Sequence, residues 1–266
     1  MILQEIAAKR KAAIEELRCF HPLESLEKQA RENDDRRNFR EALRSDGINV
    51  IAEFKKASPS RGAIRKDADP REIAAIYSRS GAAAVSCLTE PLYFQGKDEY
   101  VPMIREACPL PVLRKDFTVD VYQIYEAAAI GADAVLLIVH LLSPAQLREM
   151  MDVCSSLGLT ALVEVHNEEE LTVALDCNAD VIGINNRDLT TLDIDLNTSF
   201  RLLPLIPDAC TTVVESGVMH PEQVRRLVRA GARNFLVGSS LMAETDIEAK
   251  YRELFGFYKG ESVCPS

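Results

Sequence analysis

The sequence predicts an α/β fold, a closed (β/α)8 TIM barrel with a helical extension at its amino end, on three observations. First, one small pattern recurs. A helix ends at Gly or Asn and a short aliphatic run follows at once, as in "SGAAAVSCL", "IGADAVLLIV", "LGLTALVEV", "CNADVIGIN" and "AGARNFLVG". Glycine and asparagine suit the left-handed conformation that closes helices, and unbroken apolar runs suit parallel strands covered on both faces. Second, "NVIAEF", "LPVLRKD" and "TTVVES" bring the number of such strands to eight. Third, the strands start roughly 20 to 35 residues apart, the length of one strand–helix unit in a barrel of about 250 residues. A doubly wound open sheet is the alternative, but eight consecutive units favour closure.

Taken in order, residues 1–48 precede the first strand and read as two or three helices. "MILQEIAAKRKAAIEELRCF" alternates apolar and charged residues as an amphipathic helix does, and "HPLESL" marks a turn and a helix start. The segment is too short and too charged to hold a core of its own, so it is expected as an extension packed on the barrel. The barrel is expected over 49–258, and the tail 259–266 carries no signal. Between strands, helices begin at Asp69 ("DPREIAAIYSRSG"), Ser143 ("SPAQLREMMDVCSSLG") and His220 ("HPEQVRRLVRAG"), each with proline at the first helical position, where an N–H would be unpaired anyway. "LYFQG", residues 92–96, resembles a protease recognition site but lies between strand and helix signals and is expected as a native loop. "KKASPSRG" has the composition of a mobile lid after the first strand.

Composition narrows the function classes. The 266 residues are 47% hydrophobic and 27% charged, enough for one large core. No apolar run approaches the roughly 20 residues that span a bilayer, and the first segment is expected to be neither signal peptide nor anchor. Seven cysteines without a Cys-x-x-Cys pair predict free thiols in a reducing compartment, hence a cytoplasmic protein. A net charge of -10 opposes binding to nucleic acid or to anionic membranes, so neither is expected as a partner. Any anionic ligand must meet a local positive site. The four histidines have no zinc spacing, and neither a Walker loop nor a G-x-G-x-x-G fingerprint occurs, so no metal and no cofactor are expected.

Barrels of this kind bind ligands at the carboxyl ends of their strands, which makes polar residues there informative. They are Glu53 and Lys55 on the first strand, Lys115 on the third, Glu164 on the fifth, Asn185 on the sixth and Glu215 on the seventh. Strand side chains alternate faces, so Glu53 shares a face with Lys55, Lys115 with Leu113 and Glu164 with Leu162. All can point into one mouth. Lys56 and Arg114 have the opposite parity and are expected to face the helix layer or solvent. An unpaired charge in a low-dielectric site costs several kcal/mol, which speaks against scattered accidents at these positions, and two lysines and three glutamates that converge can offset one another. Singly, Lys115 reads equally well as a solvated charge and Glu164 as half of an ordinary ion pair. Their joint placement favours chemistry, although structural ion-pair networks give the same pattern. "ESGVMHPEQV" and "VGSSLMAETDIEA" each leave a strand through Gly and Ser and enter a helix, which makes Ser216, Gly217, Gly238 and Ser239 candidate phosphate ligands after strands seven and eight.

"IAEFKKASPSRG", "VLRKDF", "LVEVHNEEEL", "IGINNRDL", "VVESGV" and "FLVGSSLM" resemble, in order and spacing, the indoleglycerol phosphate synthases of tryptophan biosynthesis, over most of the chain. The resemblance implies a carboxy-lyase that closes the indole ring of carboxyphenylamino-deoxyribulose phosphate, with loss of carbon dioxide and water. It implies Lys115 as general acid at the ketone and Glu164 as general base. It implies that Lys55 and Ser58 hold the benzoate carboxylate, with Lys55 assisting closure or dehydration, and that Glu53 and Asn185 orient the departing hydroxyl. Glu215 would lie near the anilino nitrogen, Arg187 near the carboxylate end and Phe117 against the substrate, with the phosphate on Ser216, Gly217, Gly238 and Ser239. The extension would lie near the mouth. A monomer with a small phosphorylated substrate is expected, and association with other enzymes of its pathway is left open. Three other readings stand beside this one. A Schiff-base aldolase also uses a strand-end lysine beside glutamate; a phosphosugar isomerase lacks its usual acid–base pairs here; a noncatalytic barrel would bind a phosphorylated metabolite with an incomplete catalytic set.

Overall fold

The structure, a computed structural model, describes residues 2–256; the tail assigned to 259–266 lies outside the described residues. Three helices come first: α1 (Ile2–Phe20), α2 (Leu23–Glu32) and α3 (Phe39–Ala42). Eight strands follow: β1 (Asn49–Phe54), β2 (Ala84–Leu88), β3 (Val112–Lys115), β4 (Ala134–Ile138), β5 (Thr160–Val165), β6 (Val181–Asn185), β7 (Thr211–Glu215) and β8 (Asn234–Val237). Each pairs in parallel with its neighbour in the chain, and β8 pairs with β1 in the register Asn49↔Asn234 to Ala52↔Val237, which closes the barrel.

The helix starts read from the sequence form for the anticipated reasons. Asp69 accepts the Arg71 N–H at 2.7 Å ahead of Pro70, and Gly81 ends that helix at φ 90°. Ser143 and Gln146 cap each other reciprocally ahead of Pro144. Before Pro221, the Gln223 side chain accepts the N–H groups of Met219 and His220 at 2.8 and 2.9 Å.

Alternation along the strands divides the apolar residues into two cores. Ile51, Leu113, Leu136, Leu162, Val213 and Leu236 fill the barrel interior, while Val50, Val85, Val163 and Val214 pack outward against helices. Arg114 and Lys56 take the outward parity, as expected. Arg114 is 2% exposed and is tied to Asp98 and Glu126 in the helix layer, and the Lys56 ammonium stands 5.1 Å from the centre of the Tyr100 ring.

The extension touches both ends of the barrel. Phe39 and Leu43 pack on the inner core from the amino side, where Arg40 pairs with Asp180 just ahead of β6 at 2.6 Å and Asn49 donates to Leu43 O. At the other end α1 is held by Arg10 on Asp116 at 2.8 Å and by Arg18 on Asp120 at 2.7 Å, both beyond the end of β3. The segment after β1 contains a small antiparallel hairpin, Ala57–Ser58 with Gly62–Ala63, turned by Gly62 at φ 64°. Lys56 O secures it by accepting the Ile64 N–H at 2.8 Å.

Candidate active site

The parallel register brings the polar strand ends level. Asn185 at the end of β6 stands opposite Glu215 at the end of β7, and Glu164 opposite Gly183. Two positions at the strand ends, one in β6 and one just beyond β8, carry no side chain, and both are needed empty. A Cβ on Gly183 would collide with the Glu215 carboxylate, and one on Gly238 with that of Glu53. Glycine thus makes the room in which buried carboxylates can lie across the mouth.

Two cation–carboxylate groups result. Lys115 Nζ lies 3.2 Å from Glu164 Oε2 and 3.1 Å from Glu215 Oε2. Lys55 Nζ lies 2.6 Å from Glu53 Oε1. Burial alone would pull the Lys115 ammonium down, but the carboxylates of Glu215, Glu164 and Glu53 override it and hold its pKa above the ordinary lysine range. Burial pushes Glu164 up, and Lys115 and His166 reverse that, so this carboxylate is held below its usual range. Glu215 goes the other way: burial, helped by the Glu164 charge and opposed by Lys115, raises it to about 7. Two carboxylates on one ammonium are therefore driven apart, one firmly ionised and one poised near neutrality.

The loops after β7 and β8 complete the mouth. Ser216 (φ 64°) and Gly217 (φ 88°) turn the chain back on itself, and a Cβ at Gly217 would strike Ile194 and Leu196. Asn186 fixes this turn by donating to Glu215 O at 3.0 Å and Ser216 O at 3.1 Å. Beyond Gly238, Ser239 opens a single helical turn, and the buried Ser240 Oγ has no hydrogen-bond partner. On the facing side Arg187 donates to Leu192 O at 2.6 Å; burial and the neighbouring Arg61 both lower its pKa. Two guanidiniums that repel each other mark a place where an anion is welcome.

These groups enclose a cavity of about 350 Å³, a volume in the range of small-ligand sites. All thirteen residues singled out from the sequence line it. Others were missed. Phe94, Leu136, Ile138 and Leu189 form an apolar wall with Phe117, whose ring lies 6.1 Å from that of Phe94. Leu136 and Ile138 were within reach, because β4 has inward parity there like its neighbours. Phe94 was not: it reaches the cavity because the buried Glu90 carboxylate accepts the N–H groups of Leu92, Tyr93 and Phe94 and curls the "LYFQG" loop inward. Leu3 and Ile6 of α1 also line the cavity, which puts the first helix at the mouth.

Residues 3–254 match the family described as indole-3-glycerol phosphate synthase. The indole-3-glycerol phosphate synthase of Lachnoclostridium phytofermentans is 41% identical over 267 residues, covering 96% of this chain and 98% of that protein. That of Dehalococcoides mccartyi is 51% identical over 215 residues, covering 80% and 83%. Among solved structures, 3-hexulose-6-phosphate synthase from Salmonella typhimurium superposes with a TM-score of 0.64 at 12% identity, covering 79% of this chain and 97% of that one. Thiamine phosphate pyrophosphorylase from Pyrococcus furiosus gives 0.61 at 16% identity, covering 84% and 98%. At such identities these two likenesses concern the barrel alone.

Proposed function

The chain belongs to the indole-3-glycerol phosphate synthase family, the decarboxylating lyases of tryptophan biosynthesis, and we propose that it closes the indole ring with Lys115 as general acid and Glu164 as general base. The observation that carries this division of labour is the Lys115 ammonium suspended between Glu164 and Glu215 inside the cavity.

The substrate is a benzoate joined through an amine to a phosphorylated ketose. Its phosphate fits the backbone turns at Ser216, Gly217, Gly238 and Ser239, its ring the apolar wall beside Phe117, and its carboxylate the cations Lys55 and Arg187 with Ser58. In the first step the ring carbon bearing the carboxylate attacks the ketone carbon. Lys115 gives its proton to the ketone oxygen as negative charge builds there; a proton held tightly by three carboxylates leaves only for a strongly basic oxygen. Carbon dioxide then departs and its bonding electrons restore the aromatic ring. The new hydroxyl, oriented by Glu53 and Asn185, leaves as water with a second proton, assisted by Lys55. Glu164 takes a proton from the carbon beside the nitrogen, and that electron pair becomes the indole double bond. Two protons enter and one leaves, so each turnover takes up one proton from solvent. Glu215, near the anilino nitrogen, changes protonation state close to neutrality and tunes the charge on Lys115.

A Schiff-base aldolase needs a neutral lysine amine, and the carboxylates around Lys115 favour the ammonium. We also read the enzyme as monomeric and cytoplasmic, with residues 1–48 and the barrel forming one unit. The free thiols of the described cysteines support the reducing compartment, and the two-ended docking of the extension supports the single unit. The test is to supply carboxyphenylamino-deoxyribulose phosphate and follow indole fluorescence. The chain contains no tryptophan, so product emission stands clear of the protein's own. Failure to form indole overturns the activity, and a covalent adduct trapped by borohydride with a ketose phosphate would favour the aldolase.

A further inference from the structure

Glu164 has two carboxylate oxygens, and Lys115 engages one of them, Oε2. The other, Oε1, lies 3.3 Å from Nε2 of His166, a side chain that the reaction scheme does not use. His166 follows the last residue of β5 and precedes Asn167, whose side chain accepts the Glu170 N–H at 2.8 Å and starts the helix Glu168–Asp176. That helical turn brings Glu170 back over the strand end. Glu170 Oε2 accepts the His166 backbone N–H at 2.9 Å and meets its Nδ1 at 3.0 Å, while Oε1 meets Nδ1 of His140 at 3.0 Å, on the turn after β4. The imidazole is thus clamped at one nitrogen and along its backbone. Its buried Nε2 has no partner with hydrogen-bond geometry, and its ion-pair contact is the Glu164 carboxylate.

We propose that His166 is a positioning residue for the general base: anchored by Glu170, it pins one oxygen of Glu164 so that the other is presented to Lys115 and the substrate. The inference rests on reading Glu164 as the base. The torsion that turns a glutamate carboxylate is broad, so a carboxylate held at one oxygen only samples many orientations, and an ion-pair contact at the second oxygen narrows that range. A histidine serving the fold alone would be satisfied by Glu170. Here a buried donor is left over, and it is aimed at the reacting group.

The charged groups facing His166 are Glu164 from β5, Glu170 from the following helix and Asp188 from the loop after β6, with His140 behind Glu170 and Lys115 behind Glu164. Burial disfavours the imidazolium, but Glu164 and Glu170 reverse this and raise it to about 10, so both ring nitrogens carry protons at neutral pH. The cation beside Glu164 also keeps that carboxylate ionised.

The experiment compares His166→Gln, Glu170→Gln, their double variant and Glu164→Gln in the full chain, measuring kcat and KM against pH together with thermal melting. His166→Gln should lose roughly ten- to a hundred-fold in kcat at unchanged KM. The acid limb of its kcat profile should move to higher pH, because without the neighbouring cation Glu164 protonates sooner. Glu170→Gln should move both quantities in the same direction, and the double variant should fall no further than His166→Gln, since both residues act through one carboxylate. Wild-type kcat and acid limb in His166→Gln overturn the proposal, as do additive losses in the double variant or a loss of activity that follows melting with no displaced limb. Should His166→Gln not fold, Glu170→Gln decides alone, a displaced limb supporting the proposal and an unmoved one overturning it. Glu164→Gln separates the two levels: if it stays active the general-base reading fails, whereas if it is inactive while His166→Gln behaves as wild type, only the positioning role fails.

Discussion

Lys115 and Glu215 meet at 3.1 Å through one carboxylate oxygen, and the other oxygen of Glu215, buried, has no hydrogen-bond partner. The ammonium is therefore the polar support of the buried Glu215 carboxylate and shares that of Glu164 with His166, which ties its chemical role to an electrostatic one. Lys115→Ala should lower kcat by about 10²- to 10⁴-fold while binding of the phosphorylated substrate stays mostly intact, because the turns proposed to take the phosphate follow other strands. Steady-state kinetics and titration with product check this. Wild-type turnover in the variant would sink the role of Lys115 as the acid.

Glu215 also makes stability depend on pH. Its pKa is raised to about 7 in the folded protein, so between the ordinary glutamate value and about 7 the folded state holds a proton that the unfolded chain has lost. Its contribution is greatest in acid and is lost as pH rises through about 7. Glu215→Gln should accordingly gain in melting temperature relative to wild type from pH 5 to pH 8, with loss of activity throughout. A difference in melting temperature that does not vary with pH would contradict the raised carboxyl.

Gly238→Ala places a methyl group where the Glu53 carboxylate lies. The carboxylate must move, and overpacking of this kind costs about 1–3 kcal/mol. Because Gly238 also belongs to a turn proposed to take the phosphate, KM should rise along with a fall in kcat. Gly231→Ala is the control: its φ of 102° is unfavourable for alanine, but open space surrounds it, so it should destabilise without touching kinetics.

Arg10→Ala tests the tie between α1 and the mouth. Asp116 keeps Thr89 as a partner at 2.8 Å but loses its closest cation. Urea unfolding should show a loss of roughly 1–3 kcal/mol. KM should rise as well, because Leu3 and Ile6 of the same helix line the cavity. An unchanged stability together with an unchanged KM would mean that the helix is indifferent to the site.

Much of this was visible in the residues because two regularities hold without exception in this barrel. Parity assigned Lys115, Glu164 and Glu53 to the interior and sent Arg114 outward, and each strand end lies at the same rim. What lay beyond reach depends on how segments return in space. The curl that delivers Phe94 needs the buried Glu90, the pairing of His166 with Glu170 needs a helix to double back over β5, and the hairpin after β1 needs Lys56 O as its anchor. "LVEVHNEEEL" contains His166 and Glu170 four residues apart, yet spacing alone does not say that the imidazole's other edge meets a working carboxylate.

Helices α1 and α3 are made before any strand, yet neither has a surface to rest on until later segments are in place. Arg40 waits for Asp180, and Arg10 and Arg18 wait for the turn beyond β3. In vectorial synthesis these helices are thus made well before the segments they rest on, and the finished cylinder is stoppered at its base and rimmed at its lip by a single stretch of polypeptide ahead of β1.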